Sequence, residues 1–173
     1  MTRMKKATKK KRNKMTLMKI SQKGIDLIKK FEGCKLYAYR DSVGVLTIGY
    51  GHTKNVKAGM AITQQQAEAF LKDDIRPIET ILNGMGINYT QGQFDALVSW
   101  VFNLGQGNFK SSTMYKYIVA RKSDLEITDQ MVKWHNAGGK PLLGLKKRRC
   151  AEANMFLGKE VYDVDSLGNI KKK

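Results

Sequence analysis

The sequence predicts an α+β domain, in which one short stretch is patterned for strands and several others for helices. Around Gly44 the chain turns, and from Leu46 to Gly51 its side chains alternate with the period of a β-strand. Ala67, Phe70, Leu71, Ile75, Ile78 and Ile81 instead recur at helical spacing, as do Phe94, Leu97, Val98, Val101 and Phe102. With 173 residues, 42% of them hydrophobic, the chain fits one domain and is long enough to bury a real core.

Taken in order, the chain opens on a basic segment. Residues 1–19 hold nine Lys and Arg and no acid, within a total of 32 basic and 15 acidic side chains and a net charge of +17. Like charges repel and little apolar surface is available for burial, so disorder is expected here. The segment lacks the apolar core of a signal peptide, and nothing in the chain approaches the ~20 apolar residues of a spanning helix. Electrostatic attachment to an anionic cell wall or membrane surface is one reading of it, and a solvated tail without a partner is the other. Free of aromatics and poor in arginine, it carries no base-reading pattern, so no specific nucleic acid is expected.

Ser21 can cap a first helix whose apolar stripe is Ile25, Ile28 and Phe31. The stretch FEGCKLYAYRDSVGVLTIGYGHT then turns strand-like, from Phe31 to Thr53. Asp41 and Thr47 stand equidistant from Gly44, so a hairpin centred there sets them opposite one another, with Cβ atoms roughly 5 Å apart. Leu46, Ile48 and Tyr50 share one face. Thr47, Gly49 and Gly51 share the other and leave it bare, as a strand needs where a ligand approaches the backbone.

Residues 54–61 read as loop. Thr63 and Gln66 form a capping box opening a long helix to about residue 82, which Pro77 should kink. After the loop Asn83-Gly84-Met85-Gly86, Thr90 and Gln93 form a second capping box, and that helix ends at Gly105-Gln106-Gly107. Trp100, Phe102 and Trp134 read as core. Short helices follow over about 112–120 and 125–136, then a turn at Gly138-Gly139-Lys140-Pro141 and a last helix over about 145–157. Its Lys146-Lys147-Arg148-Arg149 run reads as a solvated basic face, and residues 161–173 as a loosely ordered basic tail. Cys34 and Cys150 have no metal-ligand spacing with His52 or His135, and without an export signal free thiols are favoured.

Chemistry concentrates in the hairpin stretch. Glycoside cleavage needs one carboxylic acid to protonate the leaving oxygen, and a second carboxylate to guide water or stabilise the cationic sugar. The two should occupy different environments. Glu32 follows Ile28 and Phe31 at a helix end, whereas Asp41 lies in a polar turn beside Arg40 and Ser42. The Thr47 hydroxyl suits a residue helping Asp41 hold water. On spacing alone, a solvated helix end and an ordinary turn acid account for these residues more simply, since acids near turns are common.

The wording of the stretch weighs against that plain reading. It closely resembles the phage-type lysozymes (endolysins) of glycoside hydrolase family 24, whose signature is a Glu after the first helix, an Asp nine residues on, a Thr six further and a TIGYGH-like strand. These stand here as Glu32, Asp41 and Thr47-Ile48-Gly49-Tyr50-Gly51-His52. The likeness runs over roughly 20–158, through Thr63, Trp100-Val101-Phe102-Asn103-Leu104-Gly105, Gly138-Gly139-Lys140 and Gly144-Leu145-Lys146-Lys147-Arg148-Arg149.

The resemblance implies a lysozyme-like α+β fold within residues 20–160. A small hairpin lobe (about 20–62) and a larger helical lobe (about 83–158) would be joined by the long helix (about 63–82), with a cleft between them. It implies hydrolysis of the β-1,4 bond between N-acetylmuramic acid and N-acetylglucosamine in peptidoglycan, with Glu32 as general acid and Asp41 aided by Thr47. Phe102 would border the sugar cleft, Arg148 would partner Glu32, and His52 would bind Asp74 as structural support rather than catalysis. Helical spacing agrees in part, since Asp74 lies four and seven residues beyond Phe70 and Ala67. Nearness of the first and last helices leaves a Cys34–Cys150 disulfide open. Carboxylate catalysis needs no metal or organic cofactor. A monomer is expected, made in the host cytoplasm and reaching the wall through a membrane pore. A lytic transglycosylase, or a non-catalytic basic wall-binding protein on the same scaffold, are the alternatives; the joint presence of Asp41 and Thr47 disfavours both.

Overall fold

The structure, a computed structural model, describes residues 16–173, so the expectation of disorder for the basic segment lies outside the described residues up to position 15. Positions 16–19 do not continue a free tail. The backbone of Met18 exchanges two hydrogen bonds with the Asn83 side chain (2.8 and 2.9 Å), and the Ile20 amide donates to Glu79 (2.8 Å).

The first helix, α1 (Gln22–Glu32), starts at Ser21, whose hydroxyl accepts from the Gly24 amide, and stops at Gly33 (φ 66°). Two short antiparallel strands follow, β1 (Lys35–Arg40) and β2 (Leu46–Gly49). The long helix α2 (Gln64–Gly84) opens on the capping box of Thr63 and Gln66, with both reciprocal bonds formed, and carries Pro77 inside it. Its stripe Ala67, Leu71, Ile75, Ile78 and Leu82 is buried.

At the centre lies α3 (Gln91–Leu104), opened by the Thr90–Gln93 capping box. Phe94, Ala96, Leu97, Val98 and Trp100 are all fully buried, so this helix is apolar nearly all round and packs against α1, α2 and the last helix. Gly92 allows the close approach of that last helix, since a Cβ there would stand 2.5 Å from the Met155 carbonyl oxygen.

Three short helices follow: α4 (Gln106–Ser111), α5 (Thr113–Val119) and α6 (Asp124–Met131). The first of these corrects the sequence expectation. Gly105 does end α3, but its φ of 89° turns the chain straight into α4 without a loop. A two-residue ladder, β3 (Asn136–Ala137) with β4 (Lys140–Pro141), forms the glycine turn. The last helix is α7 (Leu143–Leu157), ending at Gly158 in the left-handed conformation.

The C-terminal segment is a second correction. Rather than a loosely ordered tail, it folds into a hairpin, β5 (Tyr162–Val164) with β6 (Ile170–Lys172). Asn154 of α7 anchors it. Its Oδ1 accepts from the Val161 and Tyr162 amides (2.9 and 2.8 Å), and its Nδ2 donates to the Tyr162 carbonyl (2.9 Å). The Tyr162 ring is buried, and its hydroxyl donates to Asp129 (2.6 Å). Burial, with the Asp129 bond adding to it, pushes the Tyr162 phenol up to about 12. No helix among the described residues is long and apolar enough to cross a membrane.

Candidate active site

Glu32 is the last residue of α1, where the chain leaves the helix towards the hairpin. Its carboxylate is partly buried, with 21% of the side chain exposed. Oε1 accepts from Arg148 Nη1 at 2.6 Å, as the resemblance implied for that arginine. Oε2 lies 3.6 Å from where a Cβ on Gly51 would stand, and Gly51 has a φ of 89°. A side chain at position 51 would therefore be strained by that backbone conformation, with its Cβ in contact with this carboxylate.

Asp41 and Thr47 come from the hairpin, but not as direct partners. The ladder pairs Tyr39 with Thr47 and Arg40 with Leu46, and the Asp41 amide donates to the Val45 carbonyl (3.0 Å). The expected register was two residues away. The reason is the Asp41 side chain, whose Oδ1 accepts from the Val43 and Val45 amides (3.0 and 2.8 Å) and closes the turn at residues 41–44. A shift of two preserves side-chain parity, so Tyr39, Asp41 and Thr47 still share one face. Thr47 is buried and its hydroxyl donates to the Val45 carbonyl (2.9 Å).

These residues open onto one cleft of about 780 Å³, lined by Glu32, Tyr39, Asp41 and Thr47 from the hairpin side and by Phe102 and Asn103 from α3. Gly51 and Asp74 also border it. Phe102 thus lies at the cleft rather than in the core interior. Tyr39 was missed in the sequence, although its parity with Asp41 marks its face. Burial first, then the charges of Glu32 and Asp41, raises the pKa of its phenol above the ordinary value, which sets the ring within the field of both carboxylates.

Gly49 does not belong to this bare face. Its φ of 65° ends the strand, and a Cβ there would meet Ala67 and Ile62 at 3.4–3.5 Å, so it packs against the long helix rather than facing a ligand. The chain folds back at Tyr50-Gly51, and Ile48 and His52 exchange two backbone hydrogen bonds of 2.9 Å. His52 is therefore buried by a tight turn and not by strand alternation. Its Nδ1 lies 2.8 and 3.0 Å from the two carboxylate oxygens of Asp74, and its ring stacks on Phe70 with centroids 4.3 Å apart.

Arg148 and Arg149 are not a solvated basic face, being 3% and 0% exposed. They converge on the buried Glu152, and Arg149 Nη2 donates to Asn103 Oδ1 at 2.6 Å at the cleft wall. Spacing of three and four residues on α7 was the available signal for this cluster. Among the described residues no group of three or more His, Cys, Asp or Glu could hold a metal ion. Cys34 is exposed and Cys150 buried, both as free thiols, and burial pushes the Cys150 thiol up to about 11.

Comparison with known proteins agrees with the architecture. The family described as phage lysozyme matches residues 29–152. The endolysin of Acyrthosiphon pisum secondary endosymbiont phage 1 is 46% identical over 145 residues, spanning 80% of this chain and 98% of that protein. The muramidase domain of SpmX from Asticaccaulis excentricus superposes with a TM-score of 0.75 at 36% identity, over 80% of this chain and 97% of the other. The endolysin from Escherichia coli O157:H7 phage FAHEc1 gives 0.73 at 40% identity, over 82% and 95%. With a lysozyme-like α+β fold and relatives of this closeness, the chain belongs to the phage lysozyme family, and its activity is that of a hydrolase of the endolysin type.

Proposed function

We propose that the chain hydrolyses the β-1,4 bond between N-acetylmuramic acid and N-acetylglucosamine in bacterial peptidoglycan. The observation that carries this reading is the pair of carboxylates, Glu32 and Asp41, lining one cleft in unlike settings. Glu32 is partly buried and held through one oxygen by Arg148, while Asp41 sits in an exposed turn held by backbone amides. Glu32 protonates the leaving oxygen from Oε2, the oxygen free of Arg148. Asp41 directs water at, or stabilises, the cationic sugar. Thr47 donates to the Val45 carbonyl, so its hydroxyl oxygen keeps its lone pairs for a water. A general acid contributes about 100- to 10,000-fold in rate. No step in this chemistry calls for a metal or organic cofactor.

Phe102 offers an apolar wall to a sugar ring, and His52 with Asp74 holds the turn beside the acid. Similarity to the muramidase domain of SpmX supports the choice of bond. The protein would act as a monomer and reach the wall from the host cytoplasm through a membrane pore. Analysis of products from digested peptidoglycan tests the reaction: new reducing ends are expected. Anhydro-muramic ends would make the enzyme a lytic transglycosylase, and absence of any cleavage would make it a wall-binding protein.

A further inference from the structure

Behind Glu32, on the side away from the cleft, α7 carries three buried charges. Glu152 is fully buried, and its Oε1 accepts from Ser99 Oγ (2.7 Å), Arg148 Nε (3.1 Å) and Arg149 Nη2 (3.4 Å). Arg148 is shared. Its Nε goes to Glu152, its Nη1 to Glu32 at 2.6 Å, and its Nη2 to the Ser99 carbonyl at 3.2 Å. Arg149 Nε stands 3.0 Å from Glu152 Oε2 without being aligned to hydrogen-bond it, and Arg149 Nη1 is buried without a partner. Two arginines and two carboxylates thus balance only while Glu32 is ionised.

We propose that Glu152 is a positioning residue for the general acid: its buried carboxylate shares Arg148 and so limits that arginine's hold on the ionised form of Glu32. Without Glu152 the cluster would face Glu32 with two uncompensated positive charges in a poorly solvated interior, where their attraction is weakly screened. Burial lowers the Arg149 pKa, with Glu152 opposing that fall and Arg148 adding to it. The groups facing the cluster are few. Packed against α7, α3 contributes the neutral Ser99, Trp100 and Asn103, and α1 contributes Glu32 and Phe31. On the cleft side Glu32 shares its lining with Tyr39 and Asp41 of the hairpin, Lys54 just after it and Asp74 of α2.

The sign follows from the role of the acid. Glu32 must be protonated to act, so activity falls along an alkaline limb as it ionises. Removing Glu152 favours ionisation and moves that limb to lower pH; removing Arg149 does the reverse.

This inference rests on Glu32 being the general acid, so the pH dependence of kcat/KM on purified peptidoglycan sacculi is measured for the full chain beside Glu32→Gln. In Glu152→Gln the alkaline limb is expected about one pH unit lower, the size of effect for charges one guanidinium apart. The double variant Glu152→Gln/Arg149→Met restores charge balance and should return the limb to its wild-type position, a rescue that repacking alone would not produce. If Glu152→Gln does not fold, Arg149→Met alone decides, with its limb expected at higher pH. An unmoved limb in folded Glu152→Gln, an unrescued double variant, or an unmoved or lowered limb in Arg149→Met overturns the proposal. Should Glu32→Gln keep wild-type activity, the acid assignment itself fails; should it be inactive while the limbs stay fixed, only the role of Glu152 fails.

Discussion

Two acid–base pairs flank the cleft, and they do different work. Arg148–Glu32 joins the last helix to the first, with side chains 4% and 21% exposed at 2.6 Å. His52–Asp74 joins the hairpin turn to the long helix, with 9% and 30% exposed at 2.8 Å. Each is an acid paired with a base at the edge of one cavity. The difference is in what the acid's second oxygen meets: in Glu32 it is free of the arginine and lies beside Gly51, whereas both Asp74 oxygens lie within 3.0 Å of the imidazole. A carboxylate with one oxygen held and one free is oriented for proton transfer. One with both oxygens engaged is oriented for holding.

Substitutions graded by burial sharpen that contrast. Arg148→Met should have the largest effect on stability, since it leaves Glu152 buried with one partner fewer and releases Glu32. Breaking a buried pair costs about 3–5 kcal/mol, readable in chemical denaturation, and turnover should fall as well. A stable, fully active Arg148→Met would erase the distinction. His52→Asn should cost about 1–3 kcal/mol through the stranded Asp74 and the lost stacking on Phe70, while the folded variant keeps its turnover. Dead enzyme with a normal melt would place His52 with the chemistry.

A third pair extends the series to the surface. Lys172–Asp129 is 2.7 Å apart but 49% and 41% exposed. Burial pushes the Asp129 carboxyl up, yet bonds from Lys172 and Tyr162 outweigh it and leave the pKa lowered. A lowered folded value means the stabilisation is present above the unfolded pKa and fades as pH falls through the folded one. Asp129→Asn should therefore cost under about 1 kcal/mol at neutral pH and nothing in strong acid. A cost that persists in acid would show that the hydrogen bonds matter and the charge does not. Smallest in effect on the domain is deletion of residues 1–15, which spares the Met18–Asn83 bonds. Activity on soluble wall fragments should be unchanged, and activity on whole cells should weaken most at low salt, where attraction reaches beyond its physiological range of about 8 Å. Identical salt dependence with and without the segment would make it a bystander.

What the sequence disclosed, and what it did not, divides along the range of the interactions. Capping boxes at Thr63–Gln66 and Thr90–Gln93 were legible because each is closed by side chains three residues apart. The α2 and α3 stripes were legible because periodicity records the buried face. The Glu32, Asp41 and Thr47 pattern became informative only through its likeness to a known family. Register was not legible, because pairings two residues apart bury the same faces and only the Asp41 side chain chooses between them. Gly49 and Gly51 look alike in sequence but were separated by a turn, one against Ala67 and one beside Glu32. The C-terminal hairpin depends on Asn154, seven and eight residues before the amides it accepts from, and on Asp129, far back in the chain, and its charged residues concealed it. Arg148 and Arg149 looked like surface charge because a paired interior charge has no compositional signature.

The central claim, that Glu32 donates the proton, is tested most directly by the lysis rate of Glu32→Gln on purified peptidoglycan, measured beside its thermal melt. The substitution keeps the shape of the side chain and removes the acidic proton. A melt close to wild type with a rate reduced about 100-fold or more is the predicted result; a folded Glu32→Gln that cleaves at the wild-type rate would contradict it.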